Sequence, residues 1–98
     1  MIHEFARLHV IPGQETAFEA AFAEAQHIIA AMPGFLGLNL YRQHPDGAPY
    51  LLHVRWENVA AHRDGFRQSP QYQQWKALLH HFYDPFPTVE YFETLFAQ

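Results

Sequence analysis

Eight histidines and two tryptophans stand out in this chain against nine phenylalanines, five tyrosines and no cysteine. Imidazole changes charge near neutral pH, so the first question is whether the histidines are spaced to hold a metal or to move a proton. His80 and His81 are adjacent and would point roughly 100° apart on a helix. No two histidines sit at the i, i+4 spacing of a helical zinc site. His9 and His53 fall in segments that read as neighbouring strands, yet two imidazoles without a carboxylate make a poor metal site. The absence of cysteine removes thiolate ligands, disulfides and cysteine nucleophiles together. The residues therefore predict no metal and leave His62 and His9 as candidate proton shuttles. No Gly-rich phosphate loop, Ser-His-Asp set or paired-carboxylate motif is visible.

The elements that must position these groups are legible from spacing. Residues 2–10 alternate as a strand, with Ile2, Ala6, Leu8 and Val10 on one face and His3, Phe5, Arg7 and His9 on the other. Pro12-Gly13 ends it. Over residues 14–31, Phe18, Ala21, Phe22, Ala25, Ile28, Ile29 and Met32 recur at three-four spacing, which predicts an amphipathic helix stopped by Met32-Pro33-Gly34. Residues 35–43 alternate again, with Leu36, Leu38 and Leu40 on one side and Phe35, Asn39 and Tyr41 on the other. The turn His44-Pro45-Asp46-Gly47 makes this strand and the strand Tyr50–Trp56 a hairpin.

Asn58 is an N-cap for a short helix ending near Gly65, and Ser69-Pro70 starts another, a capping hydroxyl followed by proline at the first helical position. Tyr72, Trp75, Leu79 and Phe82 line one stripe of that helix. After Asp84-Pro85-Phe86-Pro87, residues 88–96 read as a last strand rich in β-branched and aromatic residues. The order β-α-β-β-α-β predicts an α+β, ferredoxin-like (split βαβ) fold with a four-stranded antiparallel sheet and helices on one face. Apolar residues on both faces of several strands require the other face to be covered too, most simply by a second copy, a homodimer.

At 98 residues the chain is expected to form one domain, residues 1–98. Hydrophobic residues are 49% and charged ones 16%, more apolar surface than a small monomer hides easily. A net charge of -4 with six Lys and Arg, and no basic cluster, argues against nucleic-acid binding. The first ten residues lack a signal-peptide pattern, and no segment approaches the roughly 20 apolar residues of a membrane span, so a soluble, unprocessed cytoplasmic protein is expected.

The order of elements, together with Pro12-Gly13, Pro33-Gly34-Phe35, Trp56-Glu57, Phe66, Ser69-Pro70, Trp75 and the proline break before the last strand, resembles the antibiotic biosynthesis monooxygenase (ABM) family over nearly the whole chain. The resemblance implies a dimeric α/β barrel with a pocket between sheet and helices in each subunit. Family members include cofactor-independent oxygenases of polycyclic phenols, quinol oxygenases, haem-degrading enzymes and autoinducer-processing proteins. The pocket tryptophan of the phenol-oxidising branch falls on Trp56. That branch's asparagine falls on Leu52, its second-strand histidine on Tyr41 and its last-helix arginine near Lys76. In the haem-degrading branch, the first-strand asparagine would be Phe5, the haem-distorting tryptophan Phe66 and the iron-ligating histidine Lys76 or Trp75, which disfavours haem. A final-strand motif that often reads Glu-His-Tyr here reads Glu90-Tyr91-Phe92.

What the resemblance implies is a monooxygenase that needs no cofactor and oxidises a small aromatic, phenolic or quinol-type substrate with O2. Such a substrate becomes electron-rich on deprotonation, so the protein need only bind it, remove a proton and stabilise the anion. His62 and Trp56 are the catalytic candidates. Asn39, Tyr41, Phe66, Tyr72 and Lys76 are the substrate-binding candidates, expected to converge on one sheet–helix space. The same aromatics would also serve as plain core. A non-catalytic dimeric ligand-binding protein, or an isomerase or lyase transferring protons in the same pocket, are the alternatives.

Overall fold

Alternation and three-four spacing become, in a computed structural model describing residues 1–98, the strands β1 (Ile2–Leu8), β2 (Phe35–Arg42), β3 (Tyr50–Trp56) and β4 (Val89–Phe92) and the helices α1 (Glu15–Ala30) and α2 (Pro70–Leu79). A π-helical segment, Ala61–Phe66, lies between β3 and α2, and a 3-10 turn, His80–Phe82, extends α2. All strand pairs are antiparallel, in the order β2-β3-β1-β4. This is the ferredoxin-like α+β arrangement expected from the element order. Within the one chain the sheet is open, with β2 and β4 as its edges, and is not closed into a barrel.

The core forms where α1 and α2 cross one sheet face. α1 buries Phe18, Phe22, Ala25 and Ile29, and α2 buries Trp75 and Leu79. Phe22 meets Trp75 edge-on at 5.9 Å, joining the two helices. From the sheet come Ala6, Leu8, Tyr50, Leu52, Val54 and Trp56. In β3 every second residue from Tyr50 to Trp56 is buried, the strict alternation of a sheet covered on one face by helices.

Local signals fix the ends. The Ser69 hydroxyl accepts the Tyr72 N–H at 3.2 Å with Pro70 in the first turn, the capping predicted from Ser69-Pro70. Asn58 Oδ1 accepts the Ala61 N–H at 2.8 Å. The short helix expected there is a π-helix, with the Arg67 N–H reaching five residues back to the His62 carbonyl at 2.9 Å. Gly34 has φ +84, and a Cβ there would fall 2.6 Å from the Ala61 Cβ, so only glycine lets the start of β2 approach the π-helical segment this closely.

Two expectations are corrected. The last strand covers Val89–Phe92 rather than residues 88–96: His3 pairs with Phe92, and beyond that point β1 has almost no backbone left to pair. In β2 a bulge between Phe35 and Gly37 resets the alternation. Phe35 thereby joins Leu38 and Leu40 on the helix side, edge-on to Trp56 at 5.9 Å, while Leu36 is exposed.

Candidate functional site

The alternation that buries Ala6 and Leu8 also buries Glu4, which is only 4% exposed. In register Glu4 lies opposite Val54 on β3 and Tyr91 on β4, and diagonal to Trp56, which pairs with Ile2. The Trp56 indole N–H donates to Glu4 Oε1 at 2.8 Å. From above, the π-helical segment lowers His62 so that its Nε2 lies 3.5 Å from the same oxygen. The other ring nitrogen, Nδ1, is 2.6 Å from the Tyr91 hydroxyl. A continuous polar chain therefore runs Tyr91, His62, Glu4, Trp56 through an otherwise apolar core.

Burial sets the charge states. Removal from water pushes the Glu4 carboxyl from 4.5 up to about 7, opposed by the Trp56 hydrogen bond and the positive field of Arg67. Burial, with the repulsion of Arg67, holds the His62 imidazole down at about 4. Near neutral pH His62 is thus neutral while Glu4 exchanges its proton. In the His62 tautomer with its proton on Nε2, Nδ1 accepts from the Tyr91 hydroxyl. Tyr91 itself is shifted upward, by burial first and then by Glu4.

A cavity of about 260 Å³ opens beside this chain. Glu4, Ala6, Leu8, Leu52 and Val89 form its floor on the sheet, and Ile29, Phe66, Tyr72 and Trp75 its walls. His62, Arg63, Arg67, His80, Tyr83, Phe86, Pro87 and Tyr91 complete the lining. Glu4 Oε2 makes no hydrogen bond, yet no buried polar side-chain atom is left without a partner. Oε2 is therefore the oxygen that opens onto the cavity. A larger groove of about 480 Å³ lies on the opposite face around Phe5, Leu51, Phe86 and Phe92. Its titratable groups Arg7, His9 and Glu90 are exposed, so nothing there holds a proton away from water.

Of the residues proposed from sequence, His62, Phe66 and Tyr72 line the cavity. Trp56 is fully buried behind it and reaches it through Glu4. Asn39 and Tyr41, expected to face the helices, lie on the other face because the bulge shifts β2; they pair with His53 and Leu51. Asn39 there accepts a hydrogen bond from Arg55 at 2.7 Å. Lys76 is exposed on α2 and is absent from the lining. His9 is exposed on the open face, and the imidazole pair that does form is His3–His53, at 2.7 Å. No three His, Cys, Asp or Glu side chains converge as a ligand set.

Glu4, Tyr91 and Arg67 were not singled out by the sequence reading. For Glu4 the signal was present: it shares strand parity with Ile2, Ala6 and Leu8, a lone carboxylate on an apolar face. Tyr91 stands in the final-strand motif where the family resemblance led to the expectation of a histidine, and its hydroxyl lies 2.6 Å from His62 Nδ1.

The geometry is that of a small α+β domain with a carboxyl-bearing cavity between sheet and helices. The model of the family described as antibiotic biosynthesis monooxygenase matches residues 1–78. The uncharacterised Bacillus subtilis protein YczJ is 48% identical over 93 residues, covering 95% of this chain and 98% of its own. A Bordetella bronchiseptica protein, by its name a candidate antibiotic biosynthesis monooxygenase, superposes with a TM-score of 0.92 at 34% identity, over 97% of each chain. SnoaB, a cofactor-independent oxygenase of Streptomyces nogalater, shares the fold at 21% identity in a mutant form, with a TM-score of 0.81 over 98% of this chain and 94% of that one. The chain belongs to the antibiotic biosynthesis monooxygenase family.

Proposed function

We propose that residues 1–98 act as one domain and form a cofactor-independent monooxygenase that oxidises a small phenolic or quinol-type aromatic in the sheet–helix cavity. The observation that carries the reading is Glu4: a buried carboxyl titrating near 7, with one oxygen held by Trp56 and the other open to the cavity. A general base is most effective when it titrates near the working pH.

Glu4 Oε2 takes the proton of an activated C–H or O–H, leaving an electron-rich anion in an aromatic cage. The anion gives one electron to O2, the resulting radicals combine as a peroxide, and O–O cleavage leaves a new carbonyl. For an anthrone-type substrate, one ring methylene and one O2 become one ring carbonyl and one water, so one oxygen atom enters the product and the other leaves as water. Protonated Glu4 passes its proton to Nε2 of His62 in the tautomer whose Nδ1–H faces the Tyr91 oxygen, and Nδ1 releases its own proton through Tyr91, which reaches towards solvent. Proton transfer without oxygen, as in an isomerase or lyase, would use the same base, and O2 consumption separates the two.

The reading includes a homodimer. The sheet face opposite the helices leaves Leu36, Tyr41 and Phe92 about half exposed, and Phe5 and Leu51 are only partly covered. A second copy would remove this apolar surface from water. No helix of the chain is long and apolar enough to cross a membrane. The absence of cysteine suits the reducing cytoplasm.

Oxygen uptake with a panel of quinols and anthrones tests the reaction. Uptake by the native protein, abolished in Glu4→Gln and reduced in His62→Ala and Trp56→Ala, is expected; saturable binding of these compounds with no oxygen consumed would sink the reading. Light scattering should give twice the monomer mass.

A further inference from the structure

Arg67 has no counter-ion. It follows directly on the π-helical segment, its guanidinium lies 5.9 Å above the Tyr72 ring, and it belongs to the cavity lining. The chain carries ten Asp and Glu, and none of them forms an ion pair with it. The neighbouring Arg63 is occupied by Asp64 at 3.3 Å. Arg67 nonetheless acts on the cavity: its field lowers the Glu4 carboxyl and depresses both His62 and His80. A guanidinium held over an aromatic ring presents a planar fork of donors, the geometry that binds a carboxylate through two parallel hydrogen bonds. The protein supplies no such carboxylate, so the fork remains available to a ligand.

The cavity sets the size. An apolar protein cavity of about 150 Å³ accepts benzene, and drug-sized ligands fill pockets of roughly 300 Å³ and more. At about 260 Å³ the present cavity suits one or two fused rings rather than four. Its polar groups mark two ends of such a molecule. Glu4 Oε2, deep on the sheet, takes an ionisable hydroxyl, and Arg67, exposed beside the Tyr72 wall, takes an acid.

We infer that the cavity selects a one- or two-ring hydroxyaryl carboxylate, with the carboxylate on Arg67 and the hydroxyl at Glu4. This rests on the assignment of the cavity as the substrate site, and it adds a charged group that the oxidation itself does not require. Arg67 is then the residue that determines specificity. In a chain of net charge -4, an anionic ligand needs such a local cation to offset the overall repulsion.

The test is a binding measurement under argon, where no turnover occurs. Dissociation constants are determined by calorimetry for 6-hydroxy-2-naphthoate, whose hydroxyl and carboxylate lie at opposite ends, and for 2-naphthol, against the native protein, Arg67→Gln and Arg67→Lys. Circular dichroism confirms that the variants fold; both change an exposed side chain. The native protein should bind the acid about tenfold more tightly than the naphthol, the typical strength of a charge-assisted hydrogen bond. Arg67→Gln should bring the ratio close to one by weakening the acid alone, and Arg67→Lys should restore it in part. Equal affinities in the native protein, an unchanged ratio in Arg67→Gln, or no binding of the acid at millimolar concentration would each overturn the inference. Oxygen uptake, measured separately, keeps the two readings apart. Uptake with uncharged quinols but no Arg67-dependent preference defeats only this inference, and Arg67-dependent binding without uptake of oxygen defeats only the oxygenase.

Discussion

The two faces of β1 and β3 carry titratable side chains at adjacent positions and treat them in opposite ways. On the open face His3 and His53 share a hydrogen bond at 2.7 Å, and His53 stacks on Phe5 at 4.4 Å. On the helix face, Glu4 and Trp56 share one at 2.8 Å beneath His62. Burial, with Arg55 and His3 beside it, lowers His53, whereas burial drives His62 to about 4 and Glu4 to about 7. The hydrogen bonds on the two faces are comparable in length. The difference is the layer of helices, which withdraws one set from water and leaves the other to a surface that a second chain would cover.

The contrast breaks most directly through the rate. Glu4→Gln should lower oxygen uptake about a hundredfold or more, the usual scale of a general base. Asn39→Ala, on the exposed Asn39–Arg55 pair of the open face, should leave it within a factor of about two. Comparable losses from both substitutions would erase the distinction between the faces. With the native protein, kcat/KM should rise with pH through about 7 as Glu4 loses its proton.

Thermal stability against pH gives the next effect. The folded value of Glu4, about 7, lies above 4.5, so its contribution is complete below 4.5 and is lost as pH rises towards 7. That of His62, about 4, lies below 6.5, so its contribution is complete above 6.5 and is lost as pH falls towards 4. Between these limits the slopes oppose and the native protein should change little. Glu4→Gln should expose the His62 slope, gaining on the order of 1 kcal/mol per pH unit from pH 4 to 6.5. His62→Gln should show the reverse between 4.5 and 7. Denaturant melts at several pH values read both; flat profiles in both variants would contradict the burial argument.

Trp56→Phe sharpens the comparison within the helix face. It keeps an aromatic ring and removes the donor to Glu4, so denaturation should show a cost of about 1–3 kcal/mol. Because that hydrogen bond lowers the Glu4 value, the rising limb of the pH–rate profile should move to higher pH. The smallest effect belongs to the open face: Asn39→Ala should cost less than about 0.5 kcal/mol by the same melts, as expected of exposed polar pairs.

Much of this architecture was legible in local spacing. Phe18, Phe22, Ala25 and Ile29 announce a helix face, and Ser69-Pro70 announces a helix start, because capping and amphipathicity act within a few residues. The site was legible only in part. His62, Phe66 and Tyr72 reach the cavity, but strict alternation carried across Gly37 placed Asn39 and Tyr41 there as well. A single bulge reverses such an assignment, since strand parity has a period of two. Lys76 fails for a related reason: next to the buried Trp75 on α2, it turns outward to solvent.

By itself, the amino-acid sequence determined the element order and the apolar faces of α1 and α2, which arise from short-range periodicity, while its motifs carried the resemblance to a family scaffold. Only the tertiary structure decided that Glu4, His62 and Tyr91 form one chain, since they come from β1, the π-helical segment and β4. It also decided their charge states. A carboxyl at position 4 and an imidazole at position 62 are ordinary groups in water; packing them together between Trp56 and Phe66 removes that water, pushing the carboxyl up to about 7 and the imidazole down to about 4.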